Sequence, residues 1–305
     1  MNAELAMDVA DQAYKSRTTN NGMSSRPSAS TGHAVVDEIN DALESGRLDL
    51  PTLPDMAIKI QNSIDDPNVS ADKIVSLLSS DLAISMYIIK TANSAALSNA
   101  TPVSNLRNAI SRLGYRMLRS IVMNITMNKL FQARSPLVSK QMKALWKHSR
   151  EVAAISYVLA QQQRHLKPDQ AMLAGLVHDI GALPLYLYAD RHHAHIDQTT
   201  LEELVLKFSG AIGAKLLQSW NFPDELIDVV AGHENLQRAS SSNLADYVDV
   251  VTMANLQMPD TAKYVAWQNV KAAERLGYTT TDCVNFLPNH ADQLAAVKSM
   301  LEFGS

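Results

Sequence analysis

Residues 50–97 read LPTLPDMAIKIQNSIDDPNVSADKIVSLLSSDLAISMYIIKTANSAAL. Pro51 and Pro54 fix their own backbone and keep the residue before them out of the helical region, so the stretch opens as an extended connector. Beyond it the apolar residues recur at helical spacing, with Met56, Ile60 and Ile64 at i, i+4 and i+8. Ser70 stands where a helix carrying Ile74, Leu77 and Leu78 needs an N-cap, because its hydroxyl can accept from an unpaired first-turn N–H. Asp81 is placed to cap the next helix, whose inward residues are expected to be Ala83, Met86, Ile89 and the stem of Lys90. No polar–apolar alternation of strand length occurs, so the stretch is all helix and turn.

The same reading extends in both directions. In residues 33–46, HAVVDEINDALESG, one face carries Val35, Val36, Ile39 and Leu43, and Gly46 is a C-terminal stop. Residues 16–32, SRTTNNGMSSRPSASTG, hold almost no large apolar group and cannot offset their ordering entropy by burial. The run AELAMDVADQAY before them is too short to hold a helix alone. Residues 1–32 are therefore expected to be a flexible tail. After the opening stretch, Ser104 caps a helix with Leu106, Ile110 and Leu113 that Gly114 stops, and Leu118, Ile121, Val122, Ile125 and Phe131 continue the pattern. Pro136 opens a long helix to about residue 163, another spans about 169–180, and more follow. The expected fold is all-α, with an N-terminal helical part over residues 33–136 and a second, longer-helix part over residues 137–305.

Composition narrows the function. The 305 residues are 46% hydrophobic and 19% charged, with 27 basic and 31 acidic residues and a net charge of −4. That balance argues against a sequence-independent hold on nucleic acid, which works by phosphate neutralisation. A single cysteine, Cys283, excludes an intrachain disulfide framework. The N-terminus lacks the basic and apolar regions of a secretion signal, and no apolar run reads as long enough to span a bilayer, so a cytoplasmic protein is expected.

Several segments share a family pattern. The Leu50–Pro54 start, the Asp66-Pro67 turn, the helix opening at Asp81 and the close on Ala92-Asn93-Ser94 resemble the beginning of HDOD domains, the HD-related output domains of bacterial signalling proteins. NLRNAISRLG, LWKHSREVA, LAGLVHDIG and LLQSWNFPDELIDVVAGH resemble that family's later segments in the same order, over residues 45–260. The resemblance implies an all-helical domain related to metal-dependent HD phosphohydrolases. It implies ligands at His148, at the His178-Asp179 dipeptide and at His233. Imidazole and carboxylate of this kind suit iron, manganese or zinc.

The same comparison marks departures. Ser209 stands where relatives carry a histidine, Glu234 where a second histidine follows the first, and Asn255 where the last carboxylate falls, with Asp249 as a substitute one face away. Serine and asparagine are weak, neutral donors for a divalent ion. The set accordingly reads as a site for at most one divalent ion, or as a buried polar network, rather than as an intact two-metal hydrolase. The expected function is a non-catalytic signalling protein working through protein partners, with a nucleotide as a further candidate ligand and no catalytic residue assigned. The alternative is a phosphohydrolase acting on a nucleotide or cyclic dinucleotide.

Other signals carry less. His192, His193 and His195 are too close along the chain to converge readily on one ion, and HENLQ has Gln237 where a zinc-protease motif needs histidine. Gly210 to Ala214 follows no strand and serves helix packing rather than phosphate binding. Asn93 is expected to end its helix in a left-handed turn or to cap the next. Arg112, Arg116 and Arg119 form a basic stripe, either paired with acids or open to an anionic partner. Trp220, with Phe222 and Pro223, reads as a buried apolar corner.

Overall fold

The computed structural model describes residues 47–94, 101–192, 196–240, 242–258 and 265–302, together with 38, 39, 41, 42 and 45. The tail expected over residues 1–32, and Val35, Val36, Leu43, Gly46, His193 and His195, lie outside the described residues. Those described form helices α1 (Asp55–Asp65), α2 (Ala71–Leu78), α3 (Leu82–Ala92), α4 (Leu106–Met127), α5 (Pro136–Gln161), α6 (Pro168–Val177) and α7 (Ala182–His192). Then come α8 (Gln198–Ser219), α9 (Asp224–Gly232), α10 (Tyr247–Leu256), α11 (Lys271–Leu276), α12 (Thr280–Asn289) and α13 (Ala291–Leu301). No strand occurs among the described residues.

Local chemistry sets the helix starts. Ser70 accepts from the Lys73 N–H and Asp81 from the Ile84 N–H, as their positions predict. Pro136 occupies the first turn of α5 behind the cap Ser135. The cap of α4 is Asn105 rather than Ser104: its side chain takes the Asn108 N–H. Gly114 does break the helix, at φ 73°, ψ 162°, but the chain resumes helical geometry at once, so α4 is two segments joined by a kink.

The orientation of α3 differs from the sequence reading. Its buried face is Ile84, Tyr87, Ile88, Thr91 and Ala92, while Met86 is 62% exposed and Leu82 76% exposed. In so apolar a helix several stripes compete, and contact with α4 selects one. Asn93 has right-handed geometry (φ −101°) instead of a left-handed turn. Its carboxamide pairs with the backbone of Val103, donating to the carbonyl at 2.8 Å and accepting from the N–H at 2.9 Å. This ties the end of α3 to the chain entering α4.

The helix expected over about 169–180 ends at Val177, and a turn at residues 178–181 separates α6 from α7. The span Pro168–His192 is, by length and composition, apolar enough to cross a membrane (mean hydropathy 1.3), which the sequence reading did not find; 83% of that window is buried within the fold. The arginine stripe is spent internally. Arg116 pairs with Asp169 at 2.9 Å; Arg119, 8% exposed, reaches Gln170 at 2.8 Å and Asp65 at 3.3 Å. Arg112 donates to the carbonyls of Ala92 and Thr101.

One apolar cluster runs from Leu53 to Leu301 and crosses residue 136 without interruption. Trp220, at the C-terminal cap of α8, links its distant parts and is 7% exposed. Its indole N–H donates to the Pro51 carbonyl at 3.0 Å. Gln61 on α1 donates to the carbonyls of Trp220 (3.3 Å) and Asn221 (3.0 Å). Trp220→Ala therefore removes a large buried side chain and orphans a carbonyl. We expect a loss of about 3–5 kcal/mol in equilibrium urea unfolding; a loss below about 1 kcal/mol would contradict the linking role.

Candidate metal centre

Three helices deliver imidazoles to one place. His148 comes from the middle of α5, His178 from the C-cap of α6 and His233 from the C-cap of α9. Backbone carbonyls in the C-terminal part of α6 and α9 orient two of these rings. Nδ1 of His178 lies 2.8 Å from the Gly175 carbonyl, and Nδ1 of His233 lies 3.0 Å from the Val229 carbonyl. Opposite an oxygen acceptor, Nδ1 carries the proton, which leaves Nε2 of the neutral ring as a lone-pair donor. A carbonyl that fixes the tautomer in this way is the usual support of a metal-ligating histidine. The C-terminal ends of α6 and α9 also bring partial negative charge, which favours a cation.

Asp179 is the common member. Its Oδ2 lies 3.2 Å from Nε2 of His178 and 3.6 Å from Nε2 of His148; its Oδ1 lies 3.2 Å from Nε2 of His233. The Nε2 atoms of His148 and His178 are 3.2 Å apart. Burial opposes ionisation of Asp179, but His178 and His233 outweigh it and hold the carboxyl well below its ordinary range. Burial lowers His233, and Asp179 overrides that and raises it.

The donors suit a first-row divalent ion. Nε2 of His233 is buried and, although near Asp179, has no hydrogen bond of acceptable geometry among the described residues. Donors about 2.1 Å from a shared ion stand roughly 3.0–3.4 Å from one another, and the separations here fall around that range. The four expected residues, with Glu234, form two overlapping sets that share Asp179: His148–His178–Asp179, and Asp179–His233–Glu234. Glu234, read from sequence only as a missing histidine, thus brings a carboxylate to the second set.

The substitute carboxylate is not available. Asp249 is 1% exposed and accepts from Arg275 Nε at 2.8 Å and from Arg238 at 3.0 Å. It also closes a reciprocal capping box with Asp246 at the start of α10. The pattern Asp246-x-x-Asp249 was a legible signal for this role. Burial raises the Asp249 carboxyl, but Arg275 and Arg238 dominate and lower it. On the same helix Thr252 donates to the His233 carbonyl at 2.8 Å. One turn further, the side-chain oxygen of Asn255 is buried without a hydrogen-bond partner among the described residues.

Glycines seat the turn. A Cβ on Gly181 would overlap the Ser209 carbonyl and stand 2.6 Å from the Gly213 N. A Cβ on Gly213 would be 3.2 Å from the Gly181 Cα, so the small residues of α8 do serve close packing. Ser209 is buried and meets the turn through its backbone. Cys283 is buried, and burial pushes its thiol up to about 11, which is inert.

Residues 50–236 match the family of HDOD domains. A solved structure from Shewanella amazonensis SB2B, described as a candidate metal-dependent phosphohydrolase, is 28% identical with TM-score 0.77, covering 90% of this chain and 100% of that one. An HDOD domain protein of unknown function from Geobacter sulfurreducens is 22% identical with TM-score 0.63, covering 90% and 98%, and shares the fold. A curated, uncharacterised protein of Treponema pallidum (strain Nichols) is 27% identical over 223 residues, 68% of this chain. The match spans 42% of that relative's length.

Two outcomes follow from this packing and charge. Gly181→Ala has no room beside α8, and a loss of about 3 kcal/mol or more, or failure to fold, is expected; wild-type thermal stability would refute the close approach. Asp249→Asn leaves two arginines without their buried partner and is expected to cost about 3–5 kcal/mol at pH 7. Because the folded value of Asp249 is depressed, its contribution is present above the unfolded value of about 3.9 and fades as pH falls through the folded one. The gap between wild type and variant in urea unfolding should therefore narrow below about pH 4. A gap independent of pH would show that the ion pair is not its source.

Proposed function

The chain belongs to the HDOD family, and on that premise we propose that it is a regulatory protein that acts through signalling partners and holds one divalent ion without phosphodiesterase turnover. The donor count carries this reading. Asp179 serves all three histidines, the exposed Glu234 joins only the Asp179–His233 side, Asp249 is bound to two arginines, and Ser209 and Asn255 add no charge. Three neutral imidazoles and one carboxylate suit a single ion of iron, manganese or zinc. When bound, such an ion supplies Lewis acidity and a charge that joins α5, α6 and α9. The chain's own residues do the positioning: the Gly175 and Val229 carbonyls aim His178 and His233, and Thr252 holds the His233 backbone. Occupancy of the centre is then a signal that the helical surface passes to a partner.

A second reading is a phosphohydrolase acting on a nucleotide or cyclic dinucleotide. Glu234 favours it, since its carboxylate joins Asp179 and His233 in a second donor set.

Elemental analysis of protein purified without chelator, followed by assays on cyclic di-guanylate and bis-nitrophenyl phosphate with added manganese or iron(II), separates the two. We expect at most one ion per chain, its loss in His178→Ala, and no turnover above background. Two ions per chain, or turnover that both His178→Ala and Glu234→Ala abolish, would establish the hydrolase instead.

A further inference from the structure

A groove of about 400 Å³ lies between the extended connector at Leu50–Leu53, the outer side of α1 and the corner after α8. None of its ten lining residues ionises, in a chain that is 19% charged. Both walls are held by buried side chains. Trp220 fixes the connector through the Pro51 carbonyl, and Gln61 fixes the corner through the Trp220 and Asn221 carbonyls. That corner holds Asn221 at φ 55°, the one non-glycine residue with positive φ among the described residues. Left-handed backbone at such a residue persists where its surroundings impose it, and such sites cluster at ligand clamps. Gln61 is 5% exposed, and its Oε1 has no hydrogen-bond partner among the described residues.

The connector supplies the recognition chemistry. Thr52 is exposed in the middle of an extended segment, and neither its N–H nor its carbonyl makes a backbone hydrogen bond among the described residues. Extended backbone with free N–H and carbonyl groups is a template for a second extended chain. Asn62 adds an exposed carboxamide and Ile58, 40% exposed, an apolar contact. With no cation in the lining, a phosphate-bearing ligand has nothing to pair with.

We propose that this groove binds an extended, uncharged peptide segment of a partner protein, through main-chain hydrogen bonds to the connector at Thr52 and an apolar contact at Ile58. It gives the regulatory reading a surface and rests on that reading for its purpose. The peptide titration reads the groove alone, while metal content and hydrolysis read the centre, so either can fail without the other.

The test titrates the isotope-labelled full chain with acetyl-Thr-Val-Ser-Val-Thr-Val-Ser-amide and follows the Thr52 amide and the Trp220 indole N–H by NMR. Saturable shifts at both are expected. An analogue N-methylated at alternate residues should bind at least about tenfold more weakly, the equivalent of one lost hydrogen bond or more. Thr52→Pro removes the N–H while remaining compatible with extended backbone, and should weaken binding similarly. Should that variant not fold, Ile58→Glu at the exposed rim is expected to give the same loss. Absence of saturable shifts, equal binding of the N-methylated peptide, or displacement of these resonances by cyclic di-guanylate at lower concentration would overturn the proposal.

Discussion

A Cβ on Gly181 would overlap the Ser209 carbonyl, and one on Gly175 would stand 2.6 Å from the Cα of Ala153. At both points helix meets backbone with no side chain between. The remaining arrangement depends on this. Gly175 lets α6 lie directly on α5, which carries His148, and Gly181 lets the following turn sit on α8. His178 and Asp179 lie between these two contacts and have little freedom to move. The close-packed interior around them makes a shift of even one methyl group costly.

Given that framework, the centre is economical in charge. Asp179 faces His148 and His178 with one oxygen and His233 with the other. Burying this carboxylate alone would be expensive, and the imidazoles around it offset the cost. Helix ends contribute as well, since carbonyls near the C-terminal ends of α6 and α9 orient two rings. The neighbouring Asp249 belongs to a separate network that joins α10 to α11 and to the chain after His233 through Arg275 and Arg238. The two carboxylates therefore do different work: one is shared among rings that can give up a proton, the other is held by guanidinium groups that cannot.

Much of this was legible in residue order. Ser70, Asp81 and Pro136 mark helix starts because capping is local, settled within three or four residues. His148, His178, Asp179 and His233 stood out because imidazole and carboxylate at those positions follow a family pattern, and the structure gathers all four. Helix faces were less legible. Met86 fits the apolar period of α3 as well as Ile88 does, yet α4 buries one and leaves the other in water. Asp249 looked available as a ligand because the two arginines that take it up are 11 and 26 residues away in sequence. Glu234 looked like a loss because sequence compares residue types, whereas a carboxylate within reach of Asp179 is a matter of position.

By itself, then, the sequence determined what is decided over one or two helical turns: the all-α class, the caps at Ser70 and Asp81, a break at Gly114 and the donor types of the centre. Tertiary structure alone decided which stripe of α3 is buried, where Gly181 presses against α8, which acids the arginines claim, and how Asp179 is divided among three rings. The physical reason is range. Capping and helical period depend on neighbours along the chain, while burial, ion pairing and convergence of ligands depend on residues that meet only when distant helices pack.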